Sequence, residues 1–90
     1  MPANLNSTLL ADMSIVSVFR SKWTTKRIKL IERRDELKNE GNDIVAEVYE
    51  LLIDQSQDII NDLSEAIQNM QSMASYNKDC ANLINNLTNK

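Results

Sequence analysis

The 90-residue sequence has no histidine, one cysteine, one glycine and one proline. Without histidine and with only one thiol, it cannot form a His/Cys zinc site, a Ser-His or Cys-His catalytic pair, or an imidazole pH switch. The lone Cys80 also excludes an internal disulfide. We interpret it as a small core residue, with an intermolecular disulfide or a reactive thiol as the alternative. The scarcity of Gly and Pro leaves few chain-breaking positions, which predicts a few long elements.

Long apolar runs are missing as well. None approaches the ~18–20 residues needed to cross a bilayer, so no membrane span is predicted. Residues 1–19 lack the basic start and uninterrupted apolar segment of a signal peptide, because Asp12 and several polar residues interrupt them. We therefore expect a single helical domain over 1–90, cytoplasmic by default, with export by a signal-independent route as the alternative.

The only glycine, Gly41, lies in a polar break at 39–43 between two apolar series with a period of seven. Residues of the two series match in pairs at equal distances from Gly41. A sustained seven-residue period is typical of coiled-coil packing. The sequence therefore predicts an antiparallel helical hairpin whose core consists of Leu9, Val16, Trp23, Leu30 and Leu37 packed against Val45, Leu52, Ile59 and Ala66.

Helix boundaries follow from capping residues. We expect a flexible tail at 1–6, a first helix at about 7–39 capped by Asn6 or Ser7, and a second helix that starts at about 43. Gly41 suits the left-handed conformation just beyond a helix end.

The end of the second helix has two interpretations. We favour a second helix over about 43–74, a kink or turn at 75–79, and a short C-terminal helix over about 79–88 that begins at Asp79. The apolar repeat nevertheless continues through Cys80 and Leu87, which indicates a helical extension instead. In that case the end of the helix would project beyond the hairpin and expose apolar side chains.

Charge separates the two predicted helices. Eight of the ten basic residues lie between Arg20 and Lys38, and eight acidic residues follow from Glu40 to Glu65 with no base among them. Opposite signs favour antiparallel pairing of these two helices over pairing of identical ones. The acidic residues from Asp43 onwards form one stripe, which we interpret as a solvated face. The alternative is a surface that attracts a basic partner or mimics nucleic-acid phosphates.

Three arginines, Arg20, Arg27 and Arg34, recur every seven residues on the apolar side of the first helix. Unpaired buried guanidinium groups are costly. They could lie at the edge of the core with their heads in water, meet carboxylates of another chain, or join neighbouring lysines in a phosphate-binding strip with Trp23 as a stacking residue. Together with the apolar residues near the C-terminus, they form a candidate partner-binding set: Arg20, Arg27, Arg34, Met73, Tyr76, Leu83, Ile84 and Leu87.

The number of apolar residues bears most directly on function. Five isoleucines fall outside the predicted pairing (Ile28, Ile31, Ile53, Ile60 and Ile67), so a single hairpin would leave apolar surface unburied. We therefore expect dimerisation into a four-helix bundle. The leading hypothesis is a non-enzymatic protein–protein interaction module, such as a small adaptor, chaperone or inhibitor, that binds a protein partner, a second copy or both.

Two alternative functions stay open. The basic first helix could bind nucleic acid, which is the less favoured partner, or the chain could be a structural subunit of a secretion or phage assembly. The sequence has no Gly-rich phosphate loop and no cluster of ligands. No catalytic residue, cofactor or metal site is therefore predicted.

Overall fold

Two long helices make up the fold of the computed structural model, which describes the backbone of residues 5–88 and, within it, side chains other than those of 5, 6, 80, 81, 84 and 88. Helix α1 spans Leu5–Asn39 and helix α2 spans Asp43–Thr88. They pack antiparallel along one another as a rod with extents of 74 × 17 × 14 Å. The predicted all-α helical hairpin is confirmed.

Helix α1 begins two residues earlier than the sequence indicates. It starts at Leu5, so Asn6 and Ser7 lie in its first turn and do not cap it. The first four backbone amides of a helix have no hydrogen-bond partner within the helix and are satisfied by side chains or water, so polar residues are tolerated in the first turn. The predicted tail at 1–6 is therefore shorter than expected, and its residues 1–4 lie outside the described residues.

The turn is closed by backbone hydrogen bonds. The Asn42 amide donates to the Leu37 carbonyl over 2.8 Å, and the Gly41 amide donates to the Lys38 carbonyl over 3.1 Å. This pair of bonds is the Schellman motif, which requires a left-handed residue after the helix, and Gly41 has φ +78°. Asn42 then caps α2, since its side-chain oxygen accepts from the Val45 amide and its carbonyl accepts from Ala46.

Helix α2 continues without interruption across 75–79, so the favoured turn there is not formed. Of the two interpretations, the helical extension over 79–88 is the one that the structure shows. No Gly or Pro lies in this stretch, and Asn77 and Asp79 are tolerated as interior helix residues at modest cost. With 46 residues against the 35 of α1, α2 is 11 residues longer, or ~16 Å.

The core uses a different line of α2 from the predicted one. Ala46, Ile53 and Ile67 are buried, whereas Val45 and Leu52 have exposed fractions of 38% and 40%. The predicted core positions Val45 and Leu52 are therefore wrong by one residue. On α1 the prediction holds better, because Leu37 is buried and the other four predicted core residues, Leu9, Val16, Trp23 and Leu30, are half-buried, as are Ile59 and Ala66 on α2.

The asymmetric turn accounts for this shift. Counting outward from Gly41 assumes that the two helices leave the turn symmetrically. In the structure, Asn42 belongs to both the end of α1 and the cap of α2, and the first buried residue of α2 is Ala46, not Val45. Ala46 and Leu37 are both buried next to the turn. The buried residues Ile53 and Ile67 continue this shifted line, while Ile59 and Ile60 are both half-buried.

This register can be tested by paired alanine substitutions. Ile53→Ala removes a buried side chain and should lower the free energy of unfolding by about 2–4 kcal/mol. Leu52→Ala, its exposed neighbour, should cost less than half as much. Urea unfolding followed by circular dichroism, with both variants at one protein concentration, measures the difference. A larger loss for Leu52→Ala would contradict the register.

The left-handed turn residue gives a second test. An added Cβ at Gly41 would meet no atom within 4 Å, so the cost of Gly41→Ala is backbone strain alone, about 1 kcal/mol. Gly41→Asn should cost less, because Asn tolerates this conformation better. Equal urea midpoints for wild type and Gly41→Ala would show that the strained conformation is not needed.

Candidate protein-interaction surface

A ridge of exposed aliphatic side chains marks the start of α2. Its members are spaced so that they stack on one side of the helix over about two turns. Ile44 and Leu51 have exposed fractions of 80% and 64%, and the other members are 38–51% exposed. We call this set the docking face: Ile44, Val45, Val48, Leu51 and Leu52.

The docking face was missed at the level of sequence because α2 carries two apolar repeats side by side. One contains Val45, Leu52 and Ile59, and the other begins one residue later with Ala46 and Ile53. Only one of them can face α1. Since Ile53 lies in the core, Leu52 is turned outward, and Ile44, Val48 and Leu51 lie beside it. The feature of the sequence that could have predicted the docking face is the width of the apolar stripe on α2, which exceeds the width that one partner helix covers.

Helix α1 carries a smaller apolar cluster of the same kind, far from the turn. Ile15, Val18 and Phe19 are each more than half exposed and occupy successive positions on one side of the helix. A stripe of basic residues, Lys22, Lys26, Lys29 and Arg33, continues from this cluster towards the turn. The Lys22 ammonium lies 5.8 Å from the centre of the Phe19 ring. The outer side of α1 thus changes from apolar to basic along the chain.

The three arginines lie half-buried along α1, as the sequence predicts for the edge of a core. Arg20 donates to the Ser64 hydroxyl over 3.4 Å, and Arg34 lies 3.1 Å from Asp35 and 3.8 Å from Glu50. Arg27 differs, because its buried Nε has no hydrogen-bond partner among the described residues. Their assignment as partner-binding residues stays a prediction.

Ion pairs among the described residues are confined to the turn end of the hairpin. Lys38 reaches Glu50 over 3.0 Å, which connects the two helices along one edge of the core. Arg33 contacts Glu36 over 2.9 Å and Glu40 over 3.8 Å. The hydrogen bond to Glu36 raises the pKa of Arg33 above its ordinary value.

Most of the charge on α1 and α2 therefore has no partner of opposite sign within the hairpin. Among the described residues, the carboxylates that follow Glu50 along α2 and the lysines before Lys38 on α1 make no ion pair within 4 Å: Asp54, Asp58, Asp62 and Glu65, and Lys22, Lys26 and Lys29. These side chains point away from the core, as their exposure shows. The acidic stripe is exposed as predicted except at Glu50, which is half-buried.

The far end of α2 exposes the remaining members of the predicted set. Met73, Tyr76, Leu83 and Leu87 have exposed fractions of 58–68%, while the side chain of Ile84 lies outside the described residues. They lie on the half of α2 far from the turn, whereas the Arg34 end of the arginine row lies near the turn beside Glu50. The structure therefore does not bring the predicted set together into one surface.

Trp23 is half-buried in the core with the Lys26 ammonium 4.7 Å from its ring centre, so one face of the ring is covered by this chain.

A shallow, open depression lies on the outer side of α1, lined by Ser17, Val18, Ser21, Lys22, Thr25 and Lys26. Among the side chains that the structure describes, no group of three or more possible ligands is placed to hold a metal ion. Neither described helix meets the length and apolarity needed to cross a bilayer.

Comparison of the chain with protein-family models, with curated proteins and with solved structures finds no match.

The unsatisfied Nε of Arg27 leads to a stability prediction. Arg27→Met keeps most of the apolar stem and removes a buried group without a partner, so the free energy of unfolding should rise by about 1 kcal/mol. Arg34→Met is the matched control, because Arg34 is paired with Asp35 and Glu50 and should give no gain. Urea unfolding measures both. A loss of stability in Arg27→Met would mean that the guanidinium is satisfied in solution.

Proposed function

We propose that the protein is a non-enzymatic protein–protein interaction module, a small helical adaptor, chaperone or inhibitor that acts through coiled-coil-like helix packing. The observation that carries this proposal is the docking face, five large aliphatic residues exposed side by side on a rigid helix. Single exposed apolar residues are common on protein surfaces, but contiguous patches mark interaction sites.

The shape and chemistry of the docking face favour a helical partner. It is a straight ridge of about 12 Å, from Ile44 to Leu52, without a polar residue that points along its centre. An amphipathic helix with aliphatic residues three and four positions apart packs against such a ridge. Glu47 and Asp54 lie along one edge of the ridge, so basic residues flanking the apolar stripe of the partner would improve the fit.

The total surface of the chain supports the same conclusion. Its accessible area is 6901 Å², whereas a compact monomer of 10.3 kDa exposes about 5,400 Å². The excess of about 1,500 Å² is larger than the ~800 Å² that each partner contributes to a standard interface. A two-helix rod leaves this surface open because each helix buries only one side.

Nucleic-acid binding is a second candidate, favoured by one observation. Lys22, Lys26 and Lys29 are exposed, make no ion pair with a carboxylate within the described hairpin, and continue into Arg33 as one stripe. Such a stripe can follow a phosphate backbone. A mobility shift on RNA or DNA that weakens steeply with salt, and that Lys22→Glu/Lys29→Glu abolishes, would support this function. No shift at low salt would remove it.

The interaction proposal is tested by a charged substitution at the centre of the docking face. Leu51→Glu should weaken binding to the protein's partner by at least about 30-fold, since a carboxylate would be buried in an apolar contact. The matched control is Ile28→Glu on α1, because Ile28 is also about half exposed but lies outside the docking face. Circular dichroism should show full helicity in both variants.

The measurement combines affinity capture from cells with titration of the purified captured protein and sedimentation of the module alone. A protein, or a second copy, that binds wild type and Ile28→Glu but not Leu51→Glu supports the proposal. The proposal is wrong if the wild type is monomeric at micromolar concentration and every protein that it captures is also captured by Leu51→Glu.

A further inference from the structure

We propose that the docking face is one end of an apolar seam that runs the whole length of α2, and that the seam is covered by the same seam of a second copy of this chain. In this dimer the two turns lie at opposite ends, α2 packs antiparallel on α2, and α1 packs antiparallel on α1. The inference rests on the proposed function and names its partner.

The seam is a line of apolar residues that repeats every seven positions along α2, beside the line that faces α1. Three of its members have exposed fractions of 38% (Val45), 40% (Leu52) and 58% (Met73), and the two between them are half-buried. A seven-residue period keeps such a line on one side of a helix that packs against another helix. The first two members belong to the docking face. The seam consists of Val45, Leu52, Ile59, Ala66 and Met73, and its period continues in the sequence at Cys80 and Leu87.

The seam lies along one edge of the core. Glu50 and Ser64 make polar contacts to side chains of α1 and so mark the opposite edge on α2. Leu52 and Ala66 each come two residues after one of them, and two residues turn an α-helix by about 200°. The seam therefore borders the edge of the core that has no such polar contact among the described side chains.

The apolar cluster of α1 borders the same edge. Lys38 marks the opposite edge on this helix, because it makes the ion pair to α2. Ser17 lies three seven-residue repeats before Lys38 and falls on the same line. Phe19 comes two residues after Ser17, about 200° around the helix, and Ile15 and Val18 lie beside it. The seam and this cluster therefore belong to one broad face of the hairpin.

Three features of this face have their centres at one height along the rod. The middle of α2, which spans Asp43–Thr88, falls between residues 65 and 66. Ala66 is also the middle of the seven seam positions from 45 to 87. The Arg20–Ser64 hydrogen bond sets α1 against α2, so that Ala66 lies level with about residue 18, in the apolar cluster of α1. A two-fold axis at this height overlaps all three features with their own copies.

Such an axis brings opposite ends of α2 together. Positions whose residue numbers add up to about 132 come level with one another, so Val45 lies near Leu87 of the other copy, Ile59 near Met73, and Ala66 near its own counterpart. The docking face of each copy then lies on the far end of the other α2, where the described apolar side chains are exposed. Both apolar regions that one hairpin leaves uncovered are thereby covered at once.

The charges agree with this arrangement. The run of acidic residues on α2 ends at Glu65, so it lies against residues 67–88 of the other copy, which carry only one Lys and one Asp. The basic residues of α1 begin at Arg20 and lie against residues 5–19 of the other α1, whose only charged residue is Asp12. Stretches of like charge are therefore kept apart, which favours this orientation.

The arrangement with both turns at one end fits less well. Each α1 would then lie on α2 of the other copy at the heights found in the hairpin itself, so Leu52 and Ile59 would cover Arg33 and Lys26. Covering charged groups with apolar side chains is costly. The last turns of α2 would also extend past both α1 helices and stay uncovered.

The area of the face suits a stable dimer. Helix α2 overlaps its counterpart along all 46 residues, or about 69 Å, and the apolar clusters of α1 add a second contact. The excess surface of about 1,500 Å² per chain leaves room for the ~800 Å² that each partner contributes to a standard interface. The product is an antiparallel four-helix bundle, in which each helix buries a flank as well as its inner side.

The orientation is tested by cross-linking single cysteines on a Cys80→Ser background. Ile59→Cys and Met73→Cys come level with each other between copies, whereas each lies about 21 Å along the rod from its own counterpart. The two variants are unfolded and refolded together, then treated with a short bismaleimide. We expect a cross-linked heterodimer in the mixture and no cross-link in either variant alone. Cross-links within a single variant, or none in any sample, would overturn the proposed orientation.

A charge placed in the seam, away from the docking face, gives an independent readout. Met73→Glu should weaken the dimer at least about 30-fold in sedimentation equilibrium, because it places a carboxylate in an apolar contact twice per dimer. Met73 is 58% exposed in one hairpin, so circular dichroism should show full helicity. Ile28→Glu, which lies away from the seam, is the matched control and should leave the dimer intact. Equal dimer affinity for Met73→Glu and the wild type would contradict the seam.

The outcomes separate this inference from the proposed function. A wild-type dimer that Met73→Glu dissociates and Ile28→Glu does not supports both. A wild-type monomer that binds another protein, and loses it in Leu51→Glu, overturns the second copy as the occupant and leaves the interaction module standing. A monomer that captures no protein lost in Leu51→Glu overturns both.

Discussion

The hydrogen bonds of Asn42 fix the register of the whole hairpin. Its amide closes the end of α1 on Leu37, and its side chain and carbonyl open α2 at Val45 and Ala46. Because both helices are continuous from this point to their far ends, the choice made at the turn propagates along the entire rod. A shift of one residue there would bury Leu52 in place of Ile53 and change every surface of α2.

The same constraint explains why the molecule has both a core and a docking face made of similar residues. The first half of α2 is apolar over a stripe too wide for one partner helix, and the turn decides which part of that stripe faces α1. Ala46 and Ile53 become core, while Val48 and Leu51 become surface. Stability and the proposed binding thus draw on adjacent parts of one stripe, and their separation depends on the geometry of the turn.

The general architecture could be predicted from the sequence, because a seven-residue apolar period, a single glycine and opposite helix charges all indicate an antiparallel hairpin. The register could not, since Leu52 and Ile53 are equally apolar and only the hydrogen bonds of the turn distinguish them. The continuity of α2 through 75–79 was also ambiguous, because polar residues such as Asn77 weaken a helix without breaking it.

The docking face could not be predicted for the same reason as the register, since the sequence pattern placed Val45 and Leu52 in the core. The arginine row was found correctly on the half-buried side of α1, but that its middle member, Arg27, lacks a partner depends on side-chain geometry that spacing does not reveal.

The difference in length between the two helices has a consequence for how the C-terminal end behaves. The last 11 residues' worth of α2 extend past Leu5, the first residue of α1 that the structure describes, and an isolated helix of that length is only marginally stable in water. Its backbone hydrogen bonds should open and close readily, so its amide protons should exchange far faster than those beside Ile53. Any molecule that engages Leu83 or Leu87 must first hold these turns in place, and part of the binding free energy is spent on that ordering. We therefore expect the two ends of α2 to differ: the end at the turn is packed beside α1, whereas the far end would gain most of its order from a binding partner.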